Sequence, residues 1–260
     1  MSLPAISVIV TTHLRPLFLE RALSSIIDQS FTDIQIVLCA DESSPATKLV
    51  AAKYLRDQDI FLAVPQKKGP ADTRNIGLDF ATGKFVCFLD DDDSFESQFF
   101  ETLVNADTFD ADALNYLNYS EILEQRNQEN IAAISKEKKS LLNTNAKEVL
   151  IANFIPNNSY VLRTDLAKKS RFDPFLQTHE DWDYLISLYG KMDFKHLNID
   201  GPCVHLSNDA HRNNSGKLNG SIGIDFLSIY RKHPSIEPEV RQRRANQLAI
   251  FNINLPESFL

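Results

Sequence analysis

The sequence predicts an α/β protein whose sheet is doubly wound and mostly parallel, with helices on both faces. Short apolar runs alternate with helical patterns over the first hundred residues, which is typical of right-handed strand–helix–strand crossovers in a buried sheet. The chain has 260 residues, of which 43% are hydrophobic and 24% charged. It can therefore bury a large core, and disorder is excluded as its main state.

Four strands and three helices are expected in the first ninety residues. The first strand is the apolar run at 6–12, and Pro16, a residue favoured in the first turn of a helix, follows it. Apolar residues then recur at the spacing of a helix with one buried face, at Leu19, Ala22, Leu23, Ile26 and Ile27. The later strands are expected at 34–40, 60–64 and 84–89, and the later helices at 46–55 and 73–81. Ligands bind beyond the carboxyl ends of such strands, so the polar residues found there are the first candidates for a site.

The second half of the chain has a less regular pattern. The polar, charged stretch at 120–145 is interpreted as a solvated excursion or a loop–helix insertion, with a loop that covers a substrate as the alternative. Helices are expected at 146–152, from 164, from 180, at 226–231 and at 239–250, and strands at 159–162 and up to 206. We expect one domain, because no repeat or linker divides the chain.

Composition excludes several classes of protein. Asp and Glu number 35 against 27 Lys and Arg, giving a net charge of −8, which argues against a nucleic-acid partner. No run of 18 apolar residues predicts a membrane span, and no basic stretch followed by an apolar one predicts a secretory signal. Cys39, Cys87 and Cys203 are dispersed, so we expect reduced thiols packed in strands and an intracellular protein.

Four consecutive carboxylates, Asp90–Asp93, follow the fourth predicted strand. Like charges ~4 Å apart repel by roughly 1 kcal/mol even in bulk water. A Mg²⁺ or Mn²⁺ ion would offset this repulsion, and Asp90 and Asp92 could both reach it. The alternative is a solvated turn in which Asp93 or Ser94 caps the next helix.

A second acidic group, Glu180, Asp181 and Asp183, starts a predicted helix. Carboxylates in a first helical turn are favoured by the helix dipole, which is one interpretation. The other is a general base, because a carboxylate beside apolar Trp182 and Tyr184 is suited to accepting a proton.

Basic residues give three further candidates. Arg74 lies in the stretch from Lys67 to Gly77, which is not a Walker A loop; it either pairs with phosphate or forms a surface salt bridge. His13 and His211 are ambiguous alone, although His13 ends the first strand and His211 lies in a Ser-, Asn- and Gly-rich stretch expected to be mobile. The run 241–244 is interpreted as a solvated helix face, with contact to anionic lipid headgroups as the alternative.

These motifs, taken in order, resemble a large family: the inverting nucleotide-sugar glycosyltransferases of the family-2 type, which have the GT-A fold. The similarity rests on the first strand with Arg15-Pro16, the second strand with Asp41-Glu-Ser43, the segment from Gly69 through Arg74-Asn75-Ile-Gly77 to Asp93, and Glu180-Asp181-Trp182. It covers about residues 5–190. It implies a nucleotide-sugar-binding half at about 5–118, an acceptor-side half at about 119–206, and a mobile segment with C-terminal helices at about 207–260.

The resemblance also implies roles for individual residues. Thr12, His13 and Asp41 would contact the nucleoside base, and Arg74 would lie near the base or the diphosphate. Asp90 would reach the ribose or a metal, and Asp92 would bind Mn²⁺ or Mg²⁺. Asp181 would be the general base, with Glu180 and Trp182 on the acceptor side. His211 would belong to a mobile loop over the diphosphate, and Lys67 would add positive charge there.

The implied activity is transfer of a sugar, with inversion, from a nucleotide-diphospho-sugar to a glycan or lipid-linked acceptor, in bacterial surface polysaccharide or lipopolysaccharide synthesis. A UDP-sugar is favoured over a GDP-sugar, although His13, Ala40 and Glu42 depart from the family's pattern near the base. The expected location is the cytoplasm, with peripheral contact at the inner face of the membrane. The alternatives are a nucleotide-sugar-binding module without turnover and a metal-dependent nucleotidyltransferase.

Overall fold

The computed structural model describes residues 3–64, 69–126, 131–176, 178–207 and 219–260. The strands are β1 (Ile6–His13), β2 (Ile34–Glu42), β3 (Ile60–Ala63), β4 (Phe85–Asp90), β5 (Ser94–Phe95), β6 (Leu114–Leu117), β7 (Tyr119–Arg126), β8 (Ile131–Lys139), β9 (Tyr160–Arg163), β10 (Phe194–Leu197) and β11 (Pro202–Ser207). The helices are α1 (Pro16–Ile27), α2 (Pro45–Tyr54), α3 (Gly69–Phe80), α4 (Phe99–Val104), α5 (Thr164–Ala167), α6 (Glu180–Tyr189), α7 (Asn219–Lys232) and α8 (Pro238–Ala249), with 3₁₀ turns at Ala146–Leu150 and Glu257–Phe259.

The main sheet has seven strands in the order β10-β6-β9-β4-β1-β2-β3. Strands β3, β2, β1 and β4 are parallel neighbours, and β9 is antiparallel to both β4 and β6. The doubly wound, mostly parallel sheet expected from the sequence is therefore confirmed. Short strands β6 and β10 and helix α4 were not expected, because four to six residues carry too little periodicity to predict them.

Two hydrophobic clusters cover the two faces of this sheet. Successive side chains of β1 alternate between them, so Val8 and Val10 pack on α1 and α4 while Ile9 packs on α3 and α6. Helix α3 lies very close to β1 at Gly77, where an added Cβ would come within 2.4 Å of the Ile9 side chain. This close packing sets the start of α3, and hence Arg74, beside the end of β1.

A second sheet of four strands, in the order β5-β11-β7-β8, includes the stretch predicted to be a solvated excursion or loop–helix insertion. The loop–helix part of that prediction is wrong, because β7 pairs with β8 antiparallel and with β11 parallel, whereas β8 is indeed exposed along most of its length. The strand pattern was hidden because buried positions of β7 hold the charged residues Glu124 and Arg126 instead of apolar ones.

The C-terminal helices were correctly expected, but the basic run on α8 is not a solvated face throughout. Arg244 is fully buried, where it donates to the carbonyls of Leu150 and His233 and stacks on the Tyr230 ring. Arg243 pairs with Glu148. The interpretation of this run as a solvated helix face is therefore wrong for Arg244, while Arg243 is 41% exposed; the alternative of lipid contact stays a prediction.

Two further expectations concern cysteines and membrane spans. The three cysteines are free and buried, each in a strand, as predicted. Over the part of the chain that the structure describes, no helix has the length and apolar character needed to span a membrane.

Candidate active site

A cavity of about 950 Å³ opens where β1, β2 and β4 end, between the start of α3, the start of α6 and the second sheet. Most of the residues singled out in the sequence line it, namely Thr12, His13, Asp41, Arg74, Asp90, Asp92 and Glu180. Residues 65–68 and 208–218 are outside the described ranges, so the predictions for Lys67 and His211 stay predictions.

Arg74 joins the two acidic groups of the chain. Its Nη2 donates to Asp90 Oδ1 over 2.7 Å and its Nη1 to Glu180 over 2.5 Å. The side chain is only 6% exposed, so it is not a surface residue with a solvated salt bridge. Burial opposes the charge of Arg74, but Asp90 and Glu180 offset this and raise its pKa. The pKa of Asp90 is in turn held below its usual value despite burial, because Arg74 and the Thr11 hydroxyl stabilise the carboxylate.

Asp91 and Asp92 share Arg15 as a partner. Asp91 is fully buried, where it binds Arg15 and accepts a hydrogen bond from the Thr12 hydroxyl at 2.6 Å. Asp92 is 25% exposed and contacts Arg15 Nη1 at 3.0 Å and Arg126 Nη1 at 3.5 Å. Arginine side chains therefore offset the repulsion that was expected among these four carboxylates.

Asp93 lines the cavity and is partly buried. Its carboxylate accepts a hydrogen bond from the His205 backbone amide at 2.9 Å. Burial raises the pKa of Asp93 well above its usual value, and the neighbouring Asp92 and Asp90 add to this. Ser94 lies in β5, and α4 begins only at Phe99, so the alternative interpretation as a helix cap is wrong.

His13 and Asp41 form a pair at one end of the cavity. His13 Nδ1 lies 3.5 Å from Asp41 Oδ2, and Asp41 Oδ1 accepts from the Gly69 backbone amide at 3.2 Å. The His13 side chain is 38% exposed, and its Nδ1 is buried without a hydrogen bond. This end of the site thus offers an acidic group and an unsatisfied ring nitrogen.

Asp181 lies at the start of α6. Its Oδ2 accepts from the Asn153 side-chain amide at 3.1 Å, and its Oδ1 accepts from the Trp182 backbone amide at 2.8 Å. Burial and the neighbouring Glu180 raise the pKa of Asp181 to about 6, although Arg74 lowers it. A carboxylate with such a pKa can take up a proton near neutral pH.

Trp182 does not line the cavity, which corrects the expectation that it contacts substrate. The side chain is fully buried, its Nε1 donates to the Val149 carbonyl at 2.6 Å, and its ring packs on Phe226 and Tyr230. Its apolar bulk anchors the start of α6 and so fixes the position of Asp181.

The second sheet contributes site residues that the sequence did not single out. Arg126 and His205 line the cavity, and both bind Glu124. Burial and Arg21 lower the pKa of His205 to about 4, which keeps it neutral. The available signal was the spacing of Glu124 and Arg126, two apart on one side of a strand.

The expected metal ligands lie at the cavity, but no described residues form a group of three or more His, Cys, Asp or Glu side chains that could hold a metal ion. The two carboxylates concerned are similarly exposed, Asp92 at 25% and Asp90 at 29%. The hydrogen bonds to Asp90 from Thr11 and Arg74 fall on the same oxygen, Oδ1.

Comparison with known proteins now adds to this geometry. A family model described as Glycosyl transferase family 2 matches residues 7–168. A GalNAc(5)-diNAcBac-PP-undecaprenol beta-1,3-glucosyltransferase from Campylobacter jejuni is 44% identical over 105 residues, which are 39% of this chain and 34% of the relative. The Escherichia coli enzyme WfgD, a UDP-Glc:alpha-D-GlcNAc-diphosphoundecaprenol beta-1,3-glucosyltransferase, is 28% identical over 88 residues, 34% of this chain and 35% of the relative. The matches thus span about a third of these relatives' length.

Solved structures share the fold over almost the whole chain. Residues 1–349 of S. aureus TarS, in complex with UDP-GlcNAc, align with a TM-score of 0.65 at 19% identity, over 96% of this chain and 73% of that one. The mannosyltransferase PcManGT from Pyrobaculum calidifontis, in complex with GDP-Man and Mn²⁺, aligns with a TM-score of 0.65 at 13% identity, over 97% and 71%. At these identities the likeness concerns the fold, and it agrees with the GT-A fold expected from the sequence.

Proposed function

Because the chain belongs to glycosyl transferase family 2, we propose that it transfers a sugar from a nucleotide-diphospho-sugar to an acceptor hydroxyl, with inversion at the anomeric carbon. The observation that carries the proposal is the arrangement at the cavity. The His13–Asp41 pair, three arginines, the carboxylates after β4 and Glu180 at the start of α6 all line the cavity, and Asp181 follows Glu180 directly in the chain. The second acidic group at the start of α6, where Asn153 and the Trp182 amide hold the Asp181 carboxylate beside Glu180, supports turnover over a binding module or a nucleotidyltransferase, which would not need it.

The donor we propose is a UDP-sugar in preference to a GDP-sugar. TarS binds UDP and UDP-GlcNAc, and the name of WfgD specifies UDP-Glc, whereas PcManGT binds GDP-Man. The base would lie at the His13–Asp41 end of the cavity, beside the partly exposed His13 ring and the Asp41 carboxylate.

A Mn²⁺ or Mg²⁺ ion fits the residues present. Asp92 is accessible from the cavity, and one oxygen of Asp90 carries both of its hydrogen bonds. One or two carboxylates together with substrate phosphates is a ligand set that Mg²⁺ commonly takes. When bound, the ion would neutralise charge that develops on the departing diphosphate. We propose Asp92 and Asp90 as its protein ligands.

In the proposed reaction the acceptor oxygen forms a bond to the anomeric carbon while the bond from that carbon to the diphosphate oxygen breaks. The bonding pair leaves with the nucleoside diphosphate, and the acceptor's proton passes to the Asp181 carboxylate. Asn153 and the Trp182 amide hold the two oxygens of that carboxylate in place. Attack from the face opposite the leaving group inverts the configuration. A single protein carboxylate suffices, unlike the pair that glycoside hydrolases use.

We propose a lipid-linked or glycan acceptor, used in bacterial surface polysaccharide or lipopolysaccharide synthesis at the cytoplasmic face of the membrane. Two relatives are named for acceptors linked to undecaprenol through a diphosphate, and another is named for minor teichoic acid biosynthesis.

The test is calorimetric titration with UDP and GDP, with and without Mn²⁺, followed by a screen of UDP-sugars against undecaprenyl-diphosphate-linked acceptors. We expect UDP to bind more tightly with metal, and the anomeric proton coupling of the product to show inversion. If neither nucleotide bound, or if the product retained the donor's configuration, the proposal would be wrong.

A further inference from the structure

Of the three arginines among the described residues that line the cavity, Arg126 makes the weakest contact with the carboxylates of Asp90–Asp93. The described residues that line the cavity include three arginines and no lysine. Both terminal nitrogens of Arg74 are bound to carboxylates at 2.7 Å or less, and Arg15 binds Asp91 and Asp92 with all three of its nitrogens. The terminal nitrogens of both arginines are thus already oriented toward carboxylates, so a phosphate bound to either would share its donor with an existing ion pair.

Arg126 is held differently. Its Nε donates to Glu124 over 2.9 Å and its Nη2 donates to the His205 carbonyl over 2.7 Å. Its guanidinium also lies 4.9 Å from the centre of the Phe18 ring. Nη1 makes no hydrogen bond within the described residues and has only a 3.5 Å ion pair with Asp92. Nε and Nη2 are thus fixed by hydrogen bonds, while Nη1 has the longer contact with Asp92, and both residues line the cavity.

The position is also desolvated, which strengthens a charged contact. The Arg126 side chain is only 5% exposed and Glu124 only 3%. A guanidinium fork matches the geometry of phosphate oxygens, and its hydrogen bonds to charged groups are about twice as strong as neutral ones. Held in place by Glu124 and His205, it would lose little side-chain freedom when it bound.

We propose that Arg126 binds the terminal phosphate of the donor's diphosphate, as a substrate-binding residue contributed by the second sheet. This inference rests on the proposed function and deepens it, because it assigns the residue that distinguishes a nucleoside diphosphate from a monophosphate. It also gives the β7–β8 stretch, a solvated excursion by composition, a direct part in donor recognition.

The test compares Arg126→Gln with Arg21→Gln. Arg21 binds the same Glu124 and also the Asp92 carbonyl, but it does not line the cavity, so its loss disturbs the same charged network without removing the proposed contact. The full chain of each variant is titrated with UDP, GDP, UMP and GMP in Mg²⁺ and in EDTA. Arg126→Gln is expected to weaken diphosphate binding about 10- to 100-fold and to change monophosphate binding less than about twofold. Arg21→Gln should keep the wild-type preference for diphosphate.

The remaining outcomes each decide a different point. Equal diphosphate affinity in wild type and Arg126→Gln, or equal losses for diphosphate and monophosphate, would overturn the inference and leave Arg126 a structural residue only. Failure of the wild type to bind any of the nucleotides would contradict the proposed function itself. Should Arg126→Gln not fold, Arg126→Lys keeps the charge but not the fork; it is expected to lower the preference for diphosphate severalfold, and an unchanged preference would overturn the inference.

Discussion

The chain carries two acidic clusters, and one carboxylate in each has an opposite pKa shift. In the strand-end cluster, Asp90–Asp93, Arg74 and Thr11 lower the pKa of Asp90, whereas burial raises those of Asp91 and Asp93. In the helix-start cluster (Glu180, Asp181 and Asp183), Arg74 binds Glu180 and leaves Asp181 with neutral hydrogen-bond donors and a pKa raised to about 6. Asp90 and Asp181, carboxylates of equal intrinsic acidity, are thus set apart by their partners, which suits the first to binding a cation and the second to accepting a proton.

The largest expected effect is on transfer by Asp181→Asn. The amide cannot accept the acceptor's proton, so we expect kcat to fall about 10²- to 10⁴-fold, the usual contribution of a general base. The control is Asp165→Asn, because Asp165 is an exposed carboxylate near the start of another helix. Initial rates of UDP release with acceptor present are the measurement. If kcat of Asp181→Asn fell by less than about threefold, Asp181 would not be the general base.

Within the helix-start cluster, Asp183 serves stability and not chemistry. It is fully buried and binds Lys232 and His233, joining α6 to the end of α7. Asp183→Asn should lower the free energy of unfolding by about 2 kcal/mol, since charge-assisted bonds at a buried site are lost. Asp173 binds the same Lys232 but is partly exposed, so Asp173→Asn should cost no more than about 1 kcal/mol.

Urea unfolding of both variants gives the comparison. Equal losses would mean that burial does not separate the two carboxylates. A reduced kcat for Asp183→Asn at full folded content would instead assign Asp183 a part in the reaction.

A smaller effect concerns pH. The base must be deprotonated, and with a pKa of about 6 Asp181 is protonated at lower pH, so kcat/KM should fall about tenfold per pH unit below pH 6 and level off above it. Asp91 also has a pKa raised to about 6 by burial, so donor affinity is measured over the same range as the control. A flat rate profile between pH 5 and 7 would contradict the assignment. So would a profile that donor affinity alone reproduces.

Much of the structure of residues 5–118 could be predicted because its signals are local. The apolar runs of β1, β2 and β4 are buried on both faces, and the polar residues after them meet at one sheet edge by topology alone. The motif order then identified the family before any geometry was known.

The rest depends on contacts between distant residues. Arg126 meets Asp92 only because β7 joins a second sheet, and the charged inner residues of β7 conceal the strand. Trp182 was misplaced for a related reason: an aromatic beside two carboxylates is equally compatible with a binding surface and with a core. Only its hydrogen bond to the Val149 carbonyl and its ring contact with Phe226 of α7 show that it belongs to the core.

The most direct test of this division between clusters is donor binding by Asp92→Asn and Asp181→Asn in parallel. Calorimetry with a UDP-sugar is run with and without Mn²⁺. Asp181→Asn should bind the donor within about twofold of wild type while it fails to transfer. Asp92→Asn should lose at least about tenfold in affinity in the presence of metal and show no gain from it. The account would be contradicted if Asp181→Asn lost donor binding or if Asp92→Asn retained a metal-dependent gain.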